Sequence, residues 1–74
     1  MDRDERRARL AQHPNSVRFE ELTRVLEDFG WELARISASH HVYRRGPERI
    51  SIPRQKPTMK PAYVRIVLEL TEDQ

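Results

Sequence analysis

WELARISASHHVYRRGPERISIP, residues Trp31–Pro53, is the part of the chain that sorts it among fold classes. Three short runs stand out in it: Trp31–Ile36 (WELARI), His40–Arg45 (HHVYRR) and Arg49–Ile52 (RISI). Ser37-Ala38-Ser39 separates the first two, and Gly46-Pro47-Glu48 the last two. Glycine next to proline is a strong turn signal, so the last two runs are expected to pair as a hairpin. Ile50 and Ile52 alternate with Ser51, the period of a half-buried strand. Pro53 then ends the strand, because proline cannot donate to a sheet ladder.

Upstream, the period changes to that of a helix. Phe19, Leu22, Val25, Leu26 and Phe29 form one apolar stripe, which predicts a helix over Val17–Phe29. Asn15 or Ser16 is the expected N-cap, and Gly30 suits a left-handed position after the last turn. Glu20, Glu21, Arg24, Glu27 and Asp28 fall on the opposite, solvated side. Downstream of the strands, Arg54–Lys60 (RQKPTMK) reads as a basic loop. Pro61 is a favoured first helical residue, and Tyr63, Ile66, Val67 and Leu70 supply the apolar side of a second helix. The order is helix, three strands, helix, an α+β class. Two helices would cover one face of a three-stranded antiparallel sheet and leave the other face wet. Residues 17–74 make up this domain. Residues 1–16 are an N-terminal extension: a short polar helix or frayed tail over Asp2–Gln12, with Leu10 its one large apolar residue, then a break at His13-Pro14-Asn15-Ser16.

A chain of 74 residues holds one small domain and no large closed cleft. With no Cys it has no disulfide framework, thiol nucleophile or cysteine zinc site. No apolar run approaches the ~20 residues a membrane span needs. The densely charged opening is not a signal-peptide pattern, so the cytoplasm is the expected setting and no membrane partner is expected. The formal net charge of +2 hides an asymmetry. Between residues 35 and 65, Arg35, Arg44, Arg45, Arg49, Arg54, Lys56, Lys60 and Arg65 face Glu48 alone. All the basic residues except Lys56 and Lys60 are Arg, which binds phosphate bidentately and stacks on bases.

The second run concentrates the chemistry. Side chains alternate across a strand, so His40, Val42 and Arg44 share one face, and His41, Tyr43 and Arg45 the other. If Tyr43 packs on the helices, His40 and Arg44 face solvent together. If Val42 packs inward, His41, Tyr43 and Arg45 do. Either way one His stands beside one Arg on the open side. That pair suits RNA cleavage without a metal: imidazole titrates near neutral pH and moves the proton, while guanidinium neutralises charge on the phosphate. His40 and His41 point to opposite faces and do not bind one ion together; His13 lies in the break. No metal site is expected. No Gly-rich phosphate loop, nucleophile elbow or His-Glu-x-x-His motif occurs.

Val25–Ile36 (VLEDFGWELARI), Ala38–Arg44 (ASHHVYR), Ile50–Pro53 (ISIP) and Met59-Lys60-Pro61 before Val64–Leu68 (VRIVL) follow one another along the chain, and this ordered set resembles the HicA toxin family. The resemblance spans about residues 17 to 72. It implies a double-stranded-RNA-binding-domain-like fold in the order α-β-β-β-α, and an mRNA interferase that cleaves without the ribosome. It also implies a HicB-like antitoxin that covers the active site. The family's catalytic His follows Gly-Ser, which maps to His40, with His41 as the fallback. Ser39, Arg35, Arg44, Arg54, Lys56 and Lys60 are the expected RNA contacts, mRNA is the expected substrate, and no cofactor is called for. Two positions depart from the family pattern. Ala38 stands where Gly is usual, so a positive φ is expected to be less accessible there. Arg54-Gln55 follows the strand end where the family often has a His. The competing expectations are a non-catalytic RNA-binding module of the same fold and a protein-interaction module with a basic face.

Overall fold

The computed structural model describes residues 1–72; Asp73 and Gln74, the end of the expected domain, lie outside the described residues. Helix α1 spans Arg3–Gln12, α2 Phe19–Asp28 and α3 Pro61–Leu70; strands β1, β2 and β3 span Glu32–Ser37, His40–Arg45 and Glu48–Pro53. The three strands form one antiparallel sheet in the order β1-β2-β3, with β2 central. The helix–strand–strand–strand–helix order expected from the sequence is present, preceded by α1.

The apolar stripe of α2 is buried throughout: Phe19, Leu22, Val25, Leu26 and, just past its end, Phe29. The helix starts at Phe19, not Val17, and neither Asn15 nor Ser16 caps it. Arg18 is the N-cap residue, and its backbone N–H donates to the Glu21 carboxylate at 3.2 Å. Val17 is fully buried before the helix begins, and its carbonyl accepts from the Met59 N–H at 2.7 Å. The other end is as expected. Gly30 has φ +93°, the Gly30 N–H donates to the Glu27 carbonyl and the Trp31 N–H to the Leu26 carbonyl. That pair of bonds satisfies carbonyls the last turn would otherwise orphan.

Pro61 opens α3 as expected. The buried side of α3 differs from the sequence expectation. Val64 and Val67 are fully buried and Thr71 nearly so, whereas Ile66 remains 39% exposed. Tyr63, Leu68 and Leu70 pack at the margin of the core. Apolar residues lie on more than half of this helix, so periodicity alone did not fix its rotation.

Helix α1 belongs to the same hydrophobic core, through Leu10, as the rest of the chain. An Asp2–Glu5 capping box starts it. Its arginines then staple it down. Arg6 Nε and Nη2 donate to the two oxygens of Asp28 at 2.5 and 3.0 Å, and Arg9 Nε to Glu21 at 2.6 Å. Arg7 donates to the Thr71 hydroxyl and the Leu68 carbonyl at the end of α3. A cation there meets the negative end of the helix dipole. Asp28, expected in solvent, therefore lies under α1. The Arg6 hydrogen bond holds its carboxyl below the usual carboxylate range, against burial and aided by Arg24.

Candidate functional site

Cross-strand register sorts every strand residue onto a face. Tyr43 is 4% exposed and Ile52 fully buried, so the side carrying His41, Tyr43, Arg45, Ile50 and Ile52 faces the helices. Burial pushes the Tyr43 phenol above its ordinary value, with a Thr23 hydrogen bond opposing the shift. The open face therefore carries His40, Val42 and Arg44 on the central strand, the arrangement expected if Tyr43 packs inward. Beside them on β3 stand Pro53, Ser51 and Arg49; beside them on β1 stand Ser37, Arg35 and Glu32.

A β-bulge between Leu33 and Arg35 makes this face what it is. Ala34 is the extra residue, so Leu33 pairs with Tyr43 and Arg35 with Val42. The bulge turns both Leu33 and Ile36 towards the helix side and brings Arg35 to the open face, as bulges re-aim side chains. The helices do not reach the edge strand, and Leu33 and Ile36 stay 45% and 56% exposed.

Arg49 lies directly across from Arg44. Like charges opposite one another on one face cost stability. Among the described residues, none of Arg35, Arg44 and Arg49 forms an ion pair. Arg35 and Arg44 are among the expected RNA contacts; Arg49 is not, and the β2–β3 register sets it beside Arg44.

His40 sits at the end of β2, exposed, immediately after the Ala38-Ser39 turn. Ala38 has φ +56°, so the left-handed conformation expected to be hard for alanine is nevertheless adopted. The two-residue hairpin between Ser37 and His40 requires it: a positive φ at the first turn position alone is the mark of a type II′ turn, where Gly is favoured. The second hairpin meets the same demand with Gly46, at φ +59°. The Ser39 carbonyl is pinned by the Arg54 N–H at 2.8 Å, and His41 Nδ1 lies 3.3 Å from the same oxygen. The His41 ring sits edge-on to Phe19, centroids 4.7 Å apart, on the helix side. His40 and His41 thus occupy opposite faces and different surroundings.

The other expected contacts lie elsewhere. Arg54 and Lys56 line an open groove of about 600 Å³, between the start of α2 and the loop before α3, with Arg18, Phe19, Glu20, Gln55, Pro57 and Thr58. Arg54 Nη2 donates to Glu20 at 3.0 Å, and its guanidinium carbon stands 5.5 Å from the Phe19 ring centre. Lys60 is exposed at the foot of α3, and its backbone N–H donates to Gln55 Oε1 at 2.8 Å. The expected residues divide into an open-face group (His40, Arg35, Arg44) and a loop group (Arg54, Lys56, Lys60), joined at Ser39. Among the described residues, no three His, Asp or Glu side chains come together as a metal site, and no helix is long and apolar enough to cross a membrane.

No curated protein and no solved structure matches the chain. A family model does: "HicA toxin of bacterial toxin-antitoxin" covers residues 19–72, from the first residue of α2 to the last described residue. The matched segment contains the whole sheet, both helices that cover it, the open face and all of the loop groove's lining but Arg18, and the chain belongs to the HicA toxin family of toxin–antitoxin systems.

Proposed function

We propose that this chain is the ribonuclease toxin of its pair, cutting mRNA without the ribosome or a metal, with His40 as the general acid/base. One observation carries the reading. His40 stands exposed on the open sheet face, two residues along from the level of Arg35 and on the same side of β2 as Arg44, which lies level with Arg49; none of the three arginines forms an ion pair among the described residues, although Glu32 stands across from Arg44. Unpaired arginines at that density suit a polyanion.

The chemistry follows from those groups. Neutral His40 takes the proton of the 2′-hydroxyl, whose oxygen attacks the adjacent phosphorus. The bond to the 5′-oxygen breaks, and the imidazolium returns the proton to that leaving group. The products are a 2′,3′-cyclic phosphate and a free 5′-hydroxyl. Arg35, the cation nearest His40 in register, stabilises the negative charge that builds on the non-bridging oxygens, and Arg44 and Arg49 hold the strand further along the same face. Arg54, Lys56 and Lys60 hold the strand beyond the scissile bond, and Ser39 fixes the turn through its carbonyl. A HicB-like antitoxin presenting carboxylates to the open face would neutralise the toxin, and the cytoplasm is where both would meet mRNA.

The test is cleavage of naked mRNA in EDTA, without ribosomes, by the wild type, His40→Ala and His41→Ala. Cleavage by the wild type and His41→Ala, with loss of at least about 100-fold in His40→Ala, is the expected result. Cleavage by His40→Ala but not His41→Ala moves the chemistry to the helix side. If no protein cuts yet all retard RNA on a gel, the chain is an RNA-binding module.

A further inference from the structure

The loop groove contains one charged group, Glu20, that the ribonuclease reading does not use. Its wall is cationic, with Arg18, Arg54 and Lys56, yet one carboxylate, Glu20, stands among them. A groove serving only to attract phosphate would gain nothing from that charge. Glu20 is well exposed on the first turn of α2. Its Oε2 accepts from Arg54, while Oε1 accepts no hydrogen bond from the described residues. Arg54 also lies over the Phe19 ring, so a single guanidinium orients the carboxylate and forms part of the groove wall.

We infer that this groove is a nucleotide subsite that prefers guanine, read by Glu20 as Arg54 orients it, with Arg18 and Lys56 holding the phosphate. The inference rests on the ribonuclease reading and adds base selection to it. Single-stranded RNA exposes the Watson–Crick edges of its bases. Only guanine presents two neighbouring donors there, N1–H and the N2 amino group, to match two carboxylate oxygens. Adenine and cytosine each set an acceptor nitrogen beside their amino group, and uracil sets two carbonyls around its one N–H. Each of these repels a carboxylate.

The groove also lies where a neighbouring nucleotide would be. Arg54 follows Pro53, the residue opposite His40, and its N–H holds the carbonyl of Ser39, the residue before His40. A strand with its scissile phosphate at His40 therefore reaches the groove by passing round the end of the sheet. Cleavage would fall beside guanine.

The test needs no cleavage. Isotope-labelled wild type, Glu20→Gln and Lys56→Ala are titrated with GMP, AMP, CMP and UMP, following the amides of residues 18–20 and 54–58. The wild type should bind GMP about tenfold tighter than the other three. Glu20→Gln should level the four, because an amide offers only one acceptor oxygen. Lys56→Ala should weaken all four and keep their order. Equal binding of the four nucleotides by the wild type overturns the inference, as does a GMP preference that survives Glu20→Gln or groove amides that no nucleotide moves. A protein that cuts RNA without any GMP preference keeps the ribonuclease reading and loses this one. A protein that prefers GMP yet cuts nothing does the reverse.

Discussion

Ala38 is the residue at which local chemistry and fold disagree most openly. It adopts φ +56° because a two-residue turn leaves the chain no other way from β1 into β2. An L-residue pays for its Cβ in that conformation. Ala38→Gly should therefore stabilise the protein by about 1 kcal/mol, seen as a higher denaturant midpoint at unchanged slope. If the midpoint does not rise, the turn carries no such strain. Arg49 makes the complementary point about charge. It faces Arg44 across one side of the ladder, while Glu32 faces Arg44 across the other, and neither arginine forms an ion pair among the described residues. Arg49→Ala should remove that repulsion and one phosphate contact together. The slope of log affinity for single-stranded RNA against log salt should fall by about 0.7, with folding stability unchanged or higher. An unaltered salt slope would place the RNA elsewhere. The importance of Arg49 was only half legible in the sequence: the Ile50/Ile52 alternation puts it on the solvent side with Ser51, but its meeting Arg44 depends on the β2–β3 register.

Among the elements, α2 was the most legible. Its stripe and its glycine stop are local signals; the errors lie where its first turn begins and on its carboxylate side, where α1 covers Asp28. Helix α3 was legible in position but not in rotation: Ile66 and Val64 look alike to periodicity, and only packing buries Val64 in place of Ile66. Helix α1 was the least legible. A segment with one large apolar residue gives little hint of tertiary docking, and what docks it is a set of arginines reaching partners on α2 and just past α3, distant in sequence. Leu10 is nonetheless 1% exposed. Leu10→Ala should cost about 3 kcal/mol in chemical denaturation, the scale for truncating a buried leucine. A loss under about 1 kcal/mol would mean that α1 rests on the domain without sharing its core.

At the scale of the whole molecule, the structure divides its charge. Acid–base pairs gather where helices meet: Arg6 and Arg24 with Asp28, and Arg9 with Glu21. Unpaired cations gather on the open sheet. The paired carboxylates make stability depend on pH with a definite sign. The carboxyls of both Asp28 and Glu21 are lowered: Asp28 chiefly by the Arg6 hydrogen bond, and Glu21 by Arg9 and the Arg18 N–H acting against burial. A carboxyl with a lower pKa when folded than when unfolded stabilises the protein above its unfolded value, and loses that contribution as pH falls through the folded one. Stability should therefore be level near neutrality and decline as pH drops below the ordinary values of 3.8 and 4.5 for these groups. Asp28→Asn should lower the neutral plateau and flatten the acid decline in unfolding measured across that range. An equally steep decline in the variant would assign the acid sensitivity to other groups.

The hydrogen bond from the Arg54 N–H to the Ser39 carbonyl ties two loops that are far apart in sequence and carry different halves of the site. Its consequence is reciprocity. If an occupant of the groove tightens the loop that begins at Arg54, it also steadies the turn that presents His40, and a ligand steadying His40 must favour the groove by the same factor. One neutral hydrogen bond is worth about 1 kcal/mol, which limits the coupling it can carry to a factor of about five. That is too little for an on–off switch. It is enough for a strand seated at both places to hold each more firmly than two separate fragments would.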